Sequence, residues 1–142
     1  DPTEGEVILQ GELLRTLSRQ NRAHLRSERI GFLAQGGSSL GNISLRDYVP
    51  YMSPSLENAF GKRASRSLSE FSGGERARIE LMKILSEDKP ILLLDEPTSQ
   101  MDEHRTLEAV EMILAYVDSG GLVITSTRDP LLLQNADHII RG

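Results

Sequence analysis

The chain has 142 residues, and its 16 Lys and Arg against 21 Asp and Glu give a formal net charge of −5. This is the length of one domain, and 38% hydrophobic residues exclude a wholly disordered chain. The acidic balance argues against non-specific nucleic-acid binding. The absence of cysteine excludes a disulfide framework, a Cys-ligated zinc site and a thiol nucleophile.

Five segments have the composition of β-strands. They are Glu6–Gln10, Arg29–Gln35, Pro90–Asp95, Leu122–Ser126 and, more weakly, Ala136–Ile140. The third and fourth are continuous apolar runs rather than alternating ones. This pattern is typical of strands buried on both faces of a parallel sheet, so these two are predicted to be central strands.

Two apolar stripes with helical spacing predict amphipathic helices between and beside these strands. The first runs from Ala77 to Leu85 and the second from Leu107 to Val117. The second helix is expected to begin after Asp102-Glu103 and to end at Gly120-Gly121. Helices alternating with strands predict a doubly wound parallel α/β fold.

The segment from Ser38 to Ser69 differs from the rest of the chain. It is rich in Ser, Gly and Pro, and its only helical candidates are short, around residues 45–51 and 56–60. We therefore expect a small, loosely specified lobe inserted into the sheet domain.

Two adjacent acids, Asp95 and Glu96, end the most apolar strand. Ligands of open α/β sheets bind at the carboxyl ends of the strands, where such residues are held rigidly. One carboxylate could hold Mg²⁺ and the other could orient or deprotonate an attacking water. The alternative is that the pair only marks a strand end.

A serine and two glycines, Ser72-Gly73-Gly74, lead into the first predicted helix. Glycines allow backbone amides to approach an anion closely, and the helix N-terminus adds its dipole. A simple Ser N-cap with a flexible turn is the alternative. The spacing favours the anion site, because Ser72 precedes Asp95 by 23 residues, one helix and one strand.

Together these residues resemble the motifs of the ATP-binding-cassette (ABC) ATPase family, over nearly the whole chain. Phe71–Glu75 is similar to the signature loop, usually Leu-Ser-Gly-Gly-Gln, with Phe and Glu at its ends. Ile91–Glu96 is similar to the Walker B strand with its catalytic glutamate. Ser99–Asp102 is similar to the D-loop, and Gln35 to the Q-loop glutamine.

Residues 5–11 and 25–32 are similar to the exporter branch of this family, which includes lipoprotein-release and antimicrobial-peptide transport ATPases. The resemblance implies the parallel sheet of a RecA-like P-loop NTPase core, N-terminally truncated, with a small inserted helical lobe. It divides the single partial domain into a β-subdomain and Q-loop strand (1–37), the helical lobe (38–71), and the signature helix, Walker B, D-loop and switch region (72–142).

The resemblance also implies roles in ATP hydrolysis. Asp95 would hold the Mg²⁺ of Mg-ATP, and Glu96 would polarise the hydrolytic water. Gln35 would reach the metal or the γ-phosphate when the site closes. Phosphoryl transfer requires positioning and electrostatic stabilisation rather than covalent help, which suits these residues.

The signature residues Ser72, Gly73, Gly74 and Glu75 would contact a nucleotide held by a second cassette, because the family sandwiches ATP between two head-to-tail domains. Asp102 would bridge to that second cassette. The segment from Gln35 through Tyr48 would face a transmembrane permease. The resemblance therefore implies a cytoplasmic protein, peripheral on the inner face of the cell membrane, with no nucleic-acid partner.

The sequence departs from the family pattern in one major way: it contains no G-x-x-x-x-G-K-[ST] phosphate loop. In the family that loop lies just upstream of the strand corresponding to Glu6–Gln10. We therefore expect that the chain is a piece of a longer protein, truncated naturally or by cloning. Without the loop, the 142 residues alone are expected to bind ATP poorly and not to hydrolyse it.

Two further departures concern the switch region and the lobe. Arg128 occupies the place of the family's switch histidine; it can donate to a γ-phosphate but cannot shuttle a proton near neutral pH. Ser72 follows Gln35 by only 37 positions, which is short for the family's helical lobe.

The leading interpretation is the ATP-binding subunit, or a fragment of it, of an ABC transporter. One alternative is a non-transport ABC ATPase acting on nucleic acid or on the ribosome. The chromosome-maintenance type is disfavoured, because the spacing from Gln35 to Ser72 leaves no room for its long coiled coil. The other alternative is a catalytically inert cassette that supplies only a signature face to an intact partner.

Overall fold

The computed structural model describes residues 4–35, 42–49 and 54–141. The strands are β1 (Ile8–Leu9), β2 (Glu12–Leu13), β3 (Ile30–Leu33), β4 (Ile91–Asp95) and β5 (Leu122–Ser126). The helices are α1 (Arg19–Arg29), α2 (Leu45–Tyr48), α3 (Pro54–Phe60), α4 (Gly73–Leu85), α5 (Glu103–Asp118) and α6 (Pro130–Gln134).

Three parallel strands form the main sheet in the order β3-β4-β5. The register pairs Leu33 with Leu94 and Asp95 with Ser126, so the carboxyl ends of all three strands lie at one edge. The predicted parallel α/β architecture is therefore confirmed. Strand β3 is shorter than predicted, because it runs from Ile30 to Leu33 and not from Arg29 to Gln35.

One face of this sheet carries the main core. Leu92 and Leu94 of β4 are fully or almost fully buried there, beneath α4 and α5. The helices present most of the apolar stripes that the sequence predicted, although Leu107 at the start of the second stripe is 49% exposed. The buried residues that they contribute here are Leu81, Ile84, Ala109, Val110 and Ile113. Burying an aliphatic side chain of this size stabilises the fold by about 1.5–3 kcal/mol.

The opposite face of the sheet is exposed in the described part of the chain. Phe32, Leu122 and Ile124 are 63%, 52% and 56% exposed. The prediction that β5 is a central strand buried on both faces is thus wrong for the described residues, where β5 pairs only with β4. The physical reason is that α4 and α5 both pack on the same face of the sheet.

A second apolar cluster fills the lobe that precedes α4. Its members from the lobe are Leu45, Val49, Leu56, Phe60, Leu68 and Phe71. Phe60 and Phe71 meet edge to face with ring centroids 5.9 Å apart. The two short predicted helices are present as α2 and α3, and the lobe is better packed than its composition suggested. From α4, Ile79 and Met82 complete this cluster.

Two predicted strands are wrong. Glu6–Gln10 contributes only β1, which pairs antiparallel with β2 in a hairpin apart from the main sheet. The chain reverses at Gln10 and Gly11, both with positive φ, so the strand ends after two residues. Ala136–Ile140 has no strand pairing among the described residues, and Ile140 is 98% exposed.

The close approach of α4 to the sheet depends on Gly31 of β3. A β-carbon placed on Gly31 would lie 2.5 Å from Leu92 Cδ2 and 3.0 Å from Ile84 Cγ1. We predict that Gly31→Ala lowers the free energy of unfolding by about 1–3 kcal/mol, because the added methyl overpacks this contact. Urea denaturation measures this change.

The matched control is Gly61→Ala in the lobe. A β-carbon there would meet only the Cγ of Glu57, at 3.2 Å, and that side chain can move. Its effect should be clearly smaller, and equal losses for the two variants would contradict the packing explanation.

Candidate functional site

The acids that end β4 are held by β5. Ser126 Oγ donates to Asp95 Oδ1 at 2.5 Å, and the amide of Glu96 donates to the carbonyl of Ser126 at 2.9 Å. Both acids are half-buried. The strand pairing therefore fixes Asp95 and Glu96 at the carboxyl edge, as the sequence predicted.

The backbone at Glu96 has φ of 48°, in the left-handed region that non-glycine residues rarely adopt. Such a conformation costs on the order of 1–3 kcal/mol and is concentrated at functional sites. Hydrogen bonds to the Glu96 carbonyl from the amide and hydroxyl of Ser99, at 3.2 and 2.9 Å, maintain the turn. The chain thus turns sharply at the second carboxylate.

Gln35 lies at the same edge. It is two residues beyond Leu33, whose partner Leu94 directly precedes Asp95. Its side chain is exposed. The neighbouring Ala34 lines a cleft together with Asp95, Glu96 and Gly73. The structure therefore brings the Gln35 backbone, the paired acids and the start of α4 into one region.

Ser72 is the N-cap of α4. Its Oγ accepts from the amide of Glu75 at 3.2 Å, and its own amide donates to Glu75 Oε2 at 2.9 Å. This reciprocal arrangement is a capping box. The N-cap alternative raised from the sequence is thus correct as geometry. Ser72 is exposed at the start of the turn, whereas Gly74 is buried.

Glu75 is bound on its other side by the lobe. Arg63 Nη1 contacts Glu75 Oε1 at 2.5 Å, and the Arg63 guanidinium lies 4.1 Å from the centroid of the Phe71 ring. The hydrogen bond from Arg63, followed by that from the Ser72 amide, lowers the pKa of Glu75 from 4.5 to about 2. Glu75 is therefore ionised at neutral pH and paired with a cation.

The turn after Glu96 packs directly on the start of α4. A β-carbon on Gly74 would lie 2.7 Å from the backbone carbonyl oxygen of Gln100, and one on Gly73 would lie 3.0 Å from Gln100 Oε1. The start of α4 and the turn that precedes α5 are thus in contact, although they are separated in sequence. Asp102 follows as the exposed N-cap of α5, accepting from the Arg105 amide at 2.9 Å.

Arg128 lies two residues beyond the end of β5 and is exposed. The next residue, Asp129, is one that the sequence reasoning missed. Asp129 Oδ2 accepts from Thr98 Oγ1 at 2.9 Å, and Asp129 Oδ1 accepts from the amide of Leu131 at 2.9 Å as the cap of α6. The Asp-Pro pair at 129–130 is an N-cap and first-turn signal that could have predicted this helix.

The oxygen donors at the edge fit Mg²⁺ only in part. Within the described ranges, no group of three or more His, Asp or Glu side chains could hold a metal ion. Mg²⁺ is usually held by one or two carboxylates together with substrate phosphates and water. The Asp95 carboxylate fits that mode and not a metal site made of protein ligands alone. Gln35 lies two residues beyond the last paired residue of β3.

The family model described as ABC transporter matches residues 1–99. The chain belongs to the ABC transporter family. Across residues 4–35, 42–49 and 54–141, no helix has both the length and the hydrophobicity needed to cross a membrane.

Similar curated proteins include one whose name describes export and one whose name describes import. The macrolide export ATP-binding/permease protein MacB of Salmonella choleraesuis is 28% identical over 98% of this chain and 24% of its own length. The putative hemin import ATP-binding protein HrtA of Staphylococcus haemolyticus is 29% identical over 98% of this chain and 70% of its own length. The chain thus spans about a quarter of the MacB relatives.

Solved ABC structures share the fold. A bacterial Atm1-family ABC exporter with ATP bound has a TM-score of 0.78 at 22% identity, covering 96% of this chain and 27% of that one. The dimeric ATP-binding cassette MJ0796 bound to ADP and Pi has a TM-score of 0.70 at 22% identity, covering 90% and 64%. The expected ABC cassette fold and exporter-type resemblance are confirmed.

The two glycines of the signature turn should respond differently to alanine. We predict that Gly74→Ala lowers the free energy of unfolding by about 1–3 kcal/mol, because its methyl would strike a backbone carbonyl. Gly73→Ala should be nearly neutral, because the Gln100 side chain can move away. Chemical denaturation of both variants tests this, and equal effects would show that the Gln100 turn is not packed as described.

The Glu75 carboxylate should make stability depend on pH. A pKa lowered from 4.5 to about 2 contributes stability that is fully present above pH 4.5 and is lost as the pH falls toward 2. We predict that wild type is more stable than Glu75→Gln at pH 7, and that the pH-dependent part of this difference decreases below pH 4.5 and is lost as the pH falls through 2. Urea unfolding across this range measures the difference.

The variant Arg63→Gln provides the control, because it removes the main cause of the lowered pKa. In that background the pH-dependent part of the Glu75→Gln difference should shrink. A difference that stays constant from pH 7 to pH 2 would contradict the role of the ion pair.

Proposed function

We propose that this ABC ATP-binding domain pairs head to tail with a second cassette and couples ATP binding and hydrolysis at that interface to transport across a membrane. The observation that carries the proposal is the shared cleft lined by Asp95, Glu96 and Gly73. An exposed helix N-terminus beside a carboxylate pair is the arrangement expected of a domain that contributes to two nucleotide sites.

The catalytic roles in this proposal fall on the carboxyl edge of the sheet. Asp95 would hold Mg²⁺ with help from Gln35. In bound Mg-ATP, the nucleotide would supply the γ-phosphoryl group and the metal ion would neutralise part of the phosphate charge. The Glu96 carboxylate would accept a hydrogen bond from the attacking water. Hydrogen bonds from the amide and to the carbonyl of Glu96 fix its backbone, so this carboxylate would be held in place. Arg128 would donate to the γ-phosphate from the end of β5.

The signature roles fall on the start of α4. The first amides of a helix have no intrahelical acceptor, and here Ser72 and Glu75 satisfy only part of that set. The amides of Gly73 and Gly74 and the Ser72 hydroxyl would contact a triphosphate held by the second cassette. Asp102, exposed at the start of α5, would meet that cassette as well.

We assign the membrane-facing side to the region of Gln35 through Tyr48, of which residues 36–41 lie outside the described ranges. A groove of about 380 Å³ is lined by Phe32, Tyr48 and Lys83 among others. Phe32 is 63% exposed, which suits an apolar contact. A transmembrane permease would dock here, placing the domain on the cytoplasmic face of the membrane. The division into residues 1–37, 38–71 and 72–142 belongs to this proposal.

A second candidate role concerns the 142 residues taken by themselves, which contain no phosphate loop. The α- and β-phosphates have no primary set of backbone amides in this sequence. The chain alone would then bind ATP poorly and would not hydrolyse it. It could still present its signature turn to an intact cassette and complete one composite site.

We predict that the purified chain alone shows no micromolar ATP binding and no turnover, because the phosphate loop is lacking. Mixed with an intact family cassette whose catalytic glutamate is replaced by Gln, it should associate when Mg-ATP is present and dissociate when it is absent. Calorimetry and analytical ultracentrifugation measure these outcomes.

The disrupting variant is Ser72→Arg, which places a large side chain on the exposed start of the signature turn and also removes the Ser72 cap of α4, so its folding is checked by circular dichroism. It should abolish the ATP-dependent association. Association that ignores nucleotide, or that survives Ser72→Arg, would contradict the head-to-tail arrangement. Sustained turnover by the chain alone would contradict the role assigned to the missing loop.

A further inference from the structure

The signature turn of this chain poses an electrostatic problem. A carboxylate, Glu75, stands at the third residue of α4, within the same turn as the amides proposed to meet a triphosphate. Two unit charges of the same sign 4 Å apart repel by about 1 kcal/mol even in water. An uncompensated carboxylate at this place would weaken binding of the phosphates.

The lobe supplies the compensating charge. Arg63 Nη1 lies 2.5 Å from Glu75 Oε1, and the two side chains are only 30% and 20% exposed. The Arg63 guanidinium is also fixed over the Phe71 ring at 4.1 Å, so the cation is held on a rigid aromatic surface. The Phe71 ring is itself packed in the lobe core.

Glu75 uses its other oxygen to organise the turn. Its Oε2 accepts from the Ser72 amide at 2.9 Å, while Ser72 Oγ accepts from the Glu75 amide. The carboxylate is therefore useful for the shape of the turn and unfavourable for its charge. A glutamine could make the same capping bond without the charge.

We propose that Arg63 is a positioning residue of the signature turn, which cancels the charge of Glu75 so that the turn accepts a triphosphate. This inference rests on the proposed function for the ligand, but the ion pair and its location are independent of it. Arg63 acts through Glu75 and does not itself touch the phosphates. The lobe thereby sets the electrostatics of the turn as well as its position.

The experiment titrates inorganic tripolyphosphate into the isolated chain at pH 7 and follows the amide resonances of Ser72, Gly73 and Gly74 by NMR. Arg63→Gln should raise the dissociation constant by about fivefold or more, as expected for one unpaired charge nearby. Arg63→Lys, which keeps the charge, should stay within about twofold of wild type. This second variant guards against a loss of binding caused by misfolding.

The double variant Arg63→Gln/Glu75→Gln is decisive, because it removes the cation and the charge that the cation cancels. It should restore binding to within about twofold of wild type, which a purely structural role for Arg63 would not do. Arg66 is exposed. Arg66→Ala is the matched control, because it removes one positive charge from the same lobe, as Arg63→Gln does. It should have less effect than Arg63→Gln.

The inference is overturned if tripolyphosphate shifts none of the three amides, if Arg63→Gln binds as wild type does, or if the double variant stays weak. Failure of the proposed function has a different signature. In that case ATP-dependent association with an intact cassette is lost for the wild-type chain, whatever the tripolyphosphate titration shows.

Discussion

The geometry of the site depends on helix α4 being shared between two cores. Its Leu81 and Ile84 pack against the sheet, whereas Ile79 and Met82 complete the core of the lobe. Helix α4 therefore fixes the distance between the sheet edge and the lobe. Because Ser72 caps the start of α4, the signature turn cannot shift relative to the sheet or to the lobe without breaking the apolar contacts that α4 makes with one of them.

A second constraint joins the same turn to the residues after β4. Gly74 leaves room for the backbone carbonyl of Gln100, and Asp102 then starts α5. The two helices that cover the sheet thus have their N-termini in contact through a tight turn. Packing at Gly74 therefore helps to hold the carboxylate pair near the signature turn.

Elements with a strong apolar period could be predicted from the sequence. Helices α4 and α5 and strands β4 and β5 have long apolar patterns, and Asp102 was expected at the start of α5. The hairpin at Ile8–Leu13 was not predicted, since two-residue strands carry almost no periodic signal. Likewise, the exposure of one sheet face depends on where helices pack, which local pattern does not encode.

The candidate site was predicted in part for the same reason. Motif spacing placed Asp95, Glu96 and Ser72 in one region, but their proposed roles in hydrolysis stay predictions. The contacts of Arg63 with Glu75 and of Thr98 with Asp129 could not be predicted, because each joins residues far apart along the chain whose separation depends on the fold.

The exposed sheet face also affects how the chain behaves in solution. Within the described ranges, β5 pairs with β4 on one side only, and Ile124 stands exposed on the same strand. An unpaired apolar edge strand is a template for pairing with another chain. Self-association of the isolated chain through this edge is therefore expected to increase with protein concentration.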